Sequence, residues 1–466
     1  MSSPYGPPGP APAPPGGAPW PPAPPPRRSR GKRATIACSI IAAVAVAVPV
    51  AGIGFMVWLF NTMGGSEKPA NLAWTVSFPQ GVGPESEKSF ATSLTGNTIV
   101  SAGSQALRAY DRTTGKHRWT VRAPESAPLC EVSPPPSGNV VAAVYGAECS
   151  SIMTVDVSSG ERKTTFDVGK APEASEKVDL SHGEITLAGN RVVVSFGDSS
   201  SIAAFSATDG SRQWATQLAD PKFCYPDGVR ADGNQLLVLA ECWGEDDDIP
   251  PAKAVSVDPR NGEKRWSYTI PESAGNTSIN IASAKPALLY LQGSELGRGT
   301  LVALDGSGKE RWQLTSTGAR WKFNAIIQWG LTAERYEISG NTLVVEIRVP
   351  EDEDGLDDSA LMGIDLTTGK RLWRTERTGI QELITTPGKS IVAWQNHQGT
   401  FQYGYEAVRI SPKNGSAEVF YSSNDNWSSL EANPAYAVDG WLYFANSERK
   451  DDIGTRPPHI FAVRPE

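Results

Sequence analysis

The chain has 466 residues, with 43 Lys and Arg against 51 Asp and Glu, and only 39% of it is hydrophobic. Five of the basic residues lie in the first 33 positions, where there is no acid, so the rest sets 38 basic residues against 51 acidic ones. A surface of that sign speaks against nucleic acid as a partner, because phosphate recognition needs the opposite charge.

Residues 1–26 are mostly Pro, Gly, Ala and Ser, with runs such as Pro21-Pro22-Ala23-Pro24-Pro25-Pro26. Such a segment has almost nothing to bury and favours solvated polyproline II, so residues 1–33 are expected to be a disordered tail ending in a basic cluster. Docking of this tail on a partner's aromatic groove is the alternative reading. The cluster is Arg27, Arg28, Arg30, Lys32 and Arg33. Ala34 to Ser66 then carries no formal charge. Its apolar core, residues 34–60, exceeds the roughly 20 residues that cross a bilayer. It is also longer than the roughly 7–15-residue core of a cleavable leader, although the Ala-Val-Ala triplets resemble a cleavage site. The expectation is one transmembrane helix with the N-terminus cytoplasmic, because the basic cluster precedes it. A linker, 61–71, would lead to an extracytoplasmic domain, 72–466.

Cysteine usage agrees with export. Cys38 lies in the apolar span, and Cys130, Cys149, Cys224 and Cys242 allow three pairings. Pairing Cys130 with Cys149 and Cys224 with Cys242 brackets one predicted hairpin each time, the same geometry in two places.

The exported part repeats. LRAYDRTTGKHRWTVR begins at Leu107, IAAFSATDGSRQWATQL at Ile202, AVSVDPRNGEKRWSYTI at Ala254, LVALDGSGKERWQL at Leu301 and LMGIDLTTGKRLWRT at Leu361. Degenerate copies begin at Ile152 and Ala407. Each copy is a strand, a polar turn closed by Gly (115, 160, 210, 262, 308, 369, 415) and a second strand; a short hairpin turn favours Gly because it needs positive φ. Trp follows that Gly by four positions in five copies, as Trp119, Trp214, Trp266, Trp312 and Trp373, whereas the degenerate copies carry Thr164 and Val419. Gly-Asn dipeptides at 96, 138, 189, 233 and 340 mark a second hairpin before most copies. One unit is therefore four strands, A to D, over about 50 residues, the length of a propeller blade. No helical periodicity is sustained beyond the apolar span, so the domain is expected to be all-β.

Seven units are complete, and strands near 435–436, 441–445 and 459–464 supply A, B and C of an eighth. Residues 72–78, LAWTVSF, read as an isolated D strand with Trp74 in place. Pairing the two ends closes the ring and leaves no open sheet edge. The fold class expected is an all-β, eight-bladed propeller closed by the N-terminal strand.

These units resemble the tryptophan-docking repeat of the PQQ-like, quinoprotein-type propeller family. Ala109, Asp111, Thr114, Gly115 and Trp119 match its A-x-D-x-x-T-G-x-x-x-W pattern throughout, and Gly363, Asp365, Thr368, Gly369 and Trp373 match with Gly for Ala. The resemblance implies that the Trp residues, Trp74 included, pack against neighbouring blades. The tail–helix–propeller layout is similar to that of actinobacterial membrane proteins of this repeat family. A related propeller scaffolds the assembly of outer-membrane proteins, a likeness of fold alone.

The family name also suggests a quinone-dependent dehydrogenase. Many such enzymes have adjacent cysteines and long insertions bearing a catalytic Asp and calcium ligands; here no two cysteines are neighbours and the blades are lean. No cofactor is expected. His117, His182, His397 and His459 are scattered, and no nucleophile elbow, zinc helix or phosphate loop occurs.

The acidic runs Glu245-Asp246-Asp247-Asp248, Glu351 to Asp358 (with Asp352, Asp354 and Asp357) and Asp451-Asp452 fall in B–C connections of blades four, six and eight. A four-stranded meander puts B–C and D–A connections on one face. The D–A connections add Glu85, Glu87, Glu125, Glu173, Glu176, Asp220, Glu272, Asp425 and Glu431. Polar loops of an acidic protein are one reading of this face; a binding face for a basic partner or for cations is the other. Asp352, Asp354 and Asp357 are weak metal candidates, because the full D-x-D-x-D-G run is missing. The reading favoured is a non-enzymatic, membrane-anchored binding or scaffolding propeller for a cell-envelope protein or ligand. A quinoprotein dehydrogenase and a ligand-sensing ectodomain with a separate transducer are the alternatives.

Overall fold

The computed structural model describes residues 72–77, 89–133, 139–168, 180, 184–196, 201–218, 224–242, 251–271, 278–293, 298–316, 319, 321–323, 336–349, 358–375, 381–384, 386, 390–398, 403–423, 433–445 and 460–464. They belong to one compact unit, Lys68–Glu466. Residues 1–71 lie outside the described residues, and with them the tail, the span 34–60 and the linker. Among the described residues no helix is long and apolar enough to cross a membrane.

The strands assemble into eight antiparallel sheets, each following chain order from A to D. Blade one begins at Ser89, two at Leu129, three at Ile185, four at Cys224, five at Ser278, six at Lys322, seven at Gln381 and eight at Asn433. Blade eight takes its D strand from the other end of the domain. Leu72–Val76 pairs antiparallel with Ile460–Val463, with Val76 opposite Ile460 and Trp74 opposite Ala462. The expected closing strand is thus present, two residues shorter than 72–78.

Eight separate hydrophobic clusters sit between the sheets, one at each junction. An open stack of eight blades would have seven junctions. The eighth joins Leu94, Ile99 and Tyr110 of blade one to Tyr436, Tyr443 and Ala462 of blade eight, and so closes the ring. Arg112 and Asp439 cross the same junction in an ion pair of 2.8 Å.

Blade six departs from four strands. Lys322–Phe323 and Tyr336–Ser339 both pair with Thr342–Val349, so its A strand comes in two pieces and the sheet has five strands. The eight-residue B strand is long enough to hold both end to end.

Within five of the C–D turns a leading Asp closes the turn, and Ser206 and Ser411 take its place in blades three and seven. Asp111 Oδ1 accepts from the amides of Thr113 and Thr114 and from the Thr114 hydroxyl, all at 3.0 Å. The turn then closes at Gly115, whose φ is +66°. Asp156 does the same work in blade two, where the Ser158 hydroxyl above all holds its carboxyl down at about 2.

Candidate functional site

Two sets of side chains join the blades, one at the turns and one on the inner strands. At the turns, the aromatic ring of each D strand lies over the turn glycine of the next blade. A β-carbon added at Gly115 would stand 2.6 Å from the Trp74 ring. At Gly160 it would stand 2.5 Å from Trp119, and at Gly262 2.7 Å from Trp214. Trp266, Trp312 and Trp373 cover Gly308, Gly369 and Gly415 in the same way. The indole N–H then donates to the carbonyl one residue after the turn acid: Trp119 to Val157 at 2.9 Å, Trp214 to Pro259 at 3.0 Å, Trp312 to Leu366 at 2.8 Å. Trp74 and Trp373 donate likewise to Arg112 and Pro412. Trp266 makes no such bond among the described residues, because the Asp305–Gly308 turn it faces closes one residue earlier than the others. All six tryptophans lie over turn glycines of the neighbouring blade.

The two degenerate copies have separate explanations. In blade two the latch is made by Phe166, two residues beyond Thr164 on the same face of the strand; its ring lies 2.8 Å from a β-carbon placed at Gly210 and stacks on Phe205 at 5.0 Å. Sequence reasoning took Thr164 as the replacement and missed it. In blade seven no latch is needed. The next C–D turn would belong to blade eight, whose D strand arrives from the N-terminal end, so there is no turn glycine to cover. Val419 is accordingly exposed, and Phe420 packs instead under the Arg409 guanidinium at 4.4 Å.

The inner set was not foreseen. Sheets that radiate from an axis leave strand A of every blade as an edge, with amides that need acceptors. Glutamates supply them across the junctions. Glu131, on strand A of blade two (Leu129–Val132), accepts from the Ile185 amide of blade three at 3.4 Å. Glu184 accepts from the Val229 amide of blade four at 2.7 Å, while its own amide donates to Ser195 Oγ at 2.7 Å. Glu241, on strand B of blade four, accepts from the Ile279 amide of blade five. Glu346, fully buried, accepts from the Leu383 amide of blade seven. Between blades five and six the bond has another chemistry: the Tyr336 hydroxyl donates to the Ala282 carbonyl and takes a bond from Arg230 at 3.3 Å.

Burial makes these acids hard to ionise. It pushes Glu131 up to about 8, with the nearby Glu184 charge adding to the effect. Glu184 is raised by burial against the pull of the Val229 amide and Arg230. Glu241 reaches about 7 through burial, the charge of Asp227 and the hydrogen bond between the two carboxyl groups. Asp227 is exposed, so the shared proton belongs to Glu241, which donates it to Asp227. Single glutamates inside apolar strands, as in LCEV, LVLAEC and TLVVEIRV, were the available signal.

These carboxyl groups are turned to backbone amides of the next blade and do not converge on a point. Among the described residues no three His, Cys, Asp or Glu side chains come together as a metal site. The acidic runs Glu245 to Asp248 and Asp451-Asp452 lie outside the described residues, as do Glu351, Asp352, Asp354 and Asp357; Asp358 is the first residue of strand C of blade six, opposite Val349. Cys130 and Cys149 form the expected disulfide, with Cα atoms 5.9 Å apart. Cys224 and Cys242 stand directly opposite each other in the ladder of blade four. His117 begins a strand, not a turn, and bonds Thr120 at 2.7 Å.

Aromatic-on-glycine latches at every junction that has a C–D turn define this domain as an eight-bladed propeller of the quinoprotein, tryptophan-docking class. The family model described as outer membrane protein assembly factor BamB matches residues 67–223, 175–294 and 288–433, and the chain belongs to that family. No curated protein matches the sequence. Among solved structures, the computationally designed Ika8 protein is similar with a TM-score of 0.51 at 10% identity, covering 85% of this chain and 100% of its own. BamB from Moraxella catarrhalis is similar with a TM-score of 0.44 at 12% identity, covering 84% of this chain and 96% of its own. Quinohemoprotein alcohol dehydrogenase from Comamonas testosteroni has a TM-score of 0.49 at 12% identity, covering 85% and 77%.

Proposed function

We propose that the protein is a membrane-tethered scaffold whose propeller binds a protein of the cell envelope through the face that carries the B–C and D–A connections. The observation that carries this reading is the asymmetry of those connections. The long connections 77–88, 168–184, 243–252 and 446–459 all leave from that face, while the other bears the C–D turns fastened by the aromatic latches. A rigid ring with its variable loops gathered at one end is a common arrangement for binding. Membership of a family named for outer-membrane protein assembly supports a protein partner over a small substrate.

The tether is the apolar span 34–60, with the N-terminus inside. The closing D strand, Leu72–Val76, starts at the tight-turn face. The long connections leave from the opposite face. The acidic runs in the connections of blades four, six and eight give that face the sign to favour a basic partner.

Photo-crosslinking residues placed in the full-length protein test this. Positions such as Lys253 and Arg298, beside long connections, should capture one envelope protein, whereas Asn190 and Asn234 on the tight-turn face should not. Equal capture from both faces would refute the assignment of the face. Capture from neither, together with dye reduction on adding quinone and calcium, would replace the scaffold by an enzyme.

A further inference from the structure

The inner glutamates are more than fasteners. Three of the inter-blade bonds are consecutive, linking blades two to three, three to four and four to five through Glu131, Glu184 and Glu241. The bonded amides, Ile185, Val229 and Ile279, all belong to strand A of the receiving blade. The charged and titratable groups facing this run can be traced element by element. Blade two presents Glu131, which faces Glu184 of blade three. Glu184 in turn faces Asp227 and Arg230 of blade four. Glu241 faces Asp227 within blade four, and blade five offers it the Ile279 amide. Blade six presents Tyr336 to Arg230. Among the described residues, the cation brought to these four carboxyl groups is Arg230, beside Glu184.

We propose that the inner strands of blades two to five form a proton-dependent joint: with Glu131 and Glu241 protonated the blades are held together, and loss of those protons drives the inner strands apart. An ionised carboxylate is the better acceptor for an amide, so each bond alone would favour ionisation. Burial beside like charge outweighs it: Glu131 lies beside Glu184, and Glu241 beside Asp227. Burial and the neighbouring acids push Glu131 up to about 8 and Glu241 to about 7. Blade six to seven has the same carboxyl–amide bond, through Glu346. The inference rests on the fold alone and stands apart from the identity of any partner.

Hydrogen exchange on the full-length protein, read by mass spectrometry from about pH 6 to about pH 9 and corrected for intrinsic rates, tests the joint. Peptides covering Ile185–Ala188 and Ser278–Ser283 should lose protection at least roughly tenfold across this range, the effect of one proton-binding equilibrium displaced by about one unit. Peptides from strand C of the same blades, Ser201–Ser206 and Gly299–Leu304, should stay protected. Glu131→Gln should flatten the response at Ile185, and Glu241→Gln the response at Ile279, because the amide oxygen still accepts but cannot ionise. Uniform protection in the wild type, or an unchanged pH response in the variants, would overturn the proposal. Should a variant fail to fold, the contrast between inner strands and strand C in the wild type decides alone.

Discussion

Replacing Gly160 by Ala separates two effects that a turn glycine combines. Its φ is +73°, a conformation that costs a residue with a β-carbon roughly 1–2 kcal/mol. The added carbon would also stand 2.5 Å from Cγ and 2.8 Å from Cβ of Trp119, with no flexible end to yield. Trp119 is 8% exposed and its indole is held by the Val157 carbonyl, so the ring cannot withdraw without losing that bond. Overpacking of this kind costs about 1–3 kcal/mol. Gly96 supplies the control: its φ is +55°, yet a β-carbon there meets nothing within 4 Å. Urea unfolding followed by circular dichroism should show Gly96→Ala losing about 1 kcal/mol and Gly160→Ala roughly 2–5 kcal/mol, at unchanged slope. In a double-mutant cycle, Trp119→Leu should remove most of the extra cost, because it removes the obstacle. Equal losses at Gly96 and Gly160, or a cycle without coupling, would refute the latch as the reason for glycine.

Other predictions concern the second latch, the second cysteine pair and the inner acids. Phe166→Ala should cost about 3–4 kcal/mol, as loss of a packed aromatic does, while Thr164→Ala should stay within about 0.5 kcal/mol; thermal melts of the two variants distinguish them. Cys224 and Cys242, opposite each other across the ladder of blade four, should be recovered as one linked peptide from unreduced digests of the full-length protein folded under oxidising conditions. Alkylation of both thiols without reductant would refute that bond. Glu131 binds its proton more tightly folded than unfolded, so the stability it confers is complete below the ordinary carboxylate range and declines as pH rises toward about 8. Wild-type stability should therefore fall by up to a few kcal/mol between about pH 5 and pH 8, and Glu131→Gln should remove much of that slope.

The ring and its latches were legible because they rest on a repeated pattern. Asp, Gly and Trp recur at constant spacing, and an unpaired D strand at one end matched a missing D strand at the other. Phe166 was not legible, since it sits two positions off the motif and its role depends on which face of the strand meets Gly210. Val419 could be seen as a departure but not explained until the closing strand removed the turn it would have covered. The inner glutamates escaped for a related reason. One acid in an apolar strand carries no period, and its partner is a backbone amide some 40 residues or more away, at a distance that only the stacking of sheets defines. The extra strand of blade six comes from the break in its A strand between Phe323 and Tyr336, which the repeat alone does not specify.

The closing strand has a further consequence, in time. Leu72–Val76 is made first and Ile460–Val463 last, with roughly 380 residues between partners, so their pairing carries the largest loop-closure entropy in the domain. Seven blades can add to one another as they emerge, each needing only its predecessor. Blade eight must wait for both termini of the domain, and until then Trp74 has no sheet to hold it over Gly115. Ring closure is thus expected to be the slowest event of folding, and the moment at which an incomplete chain is still distinguishable from a finished one.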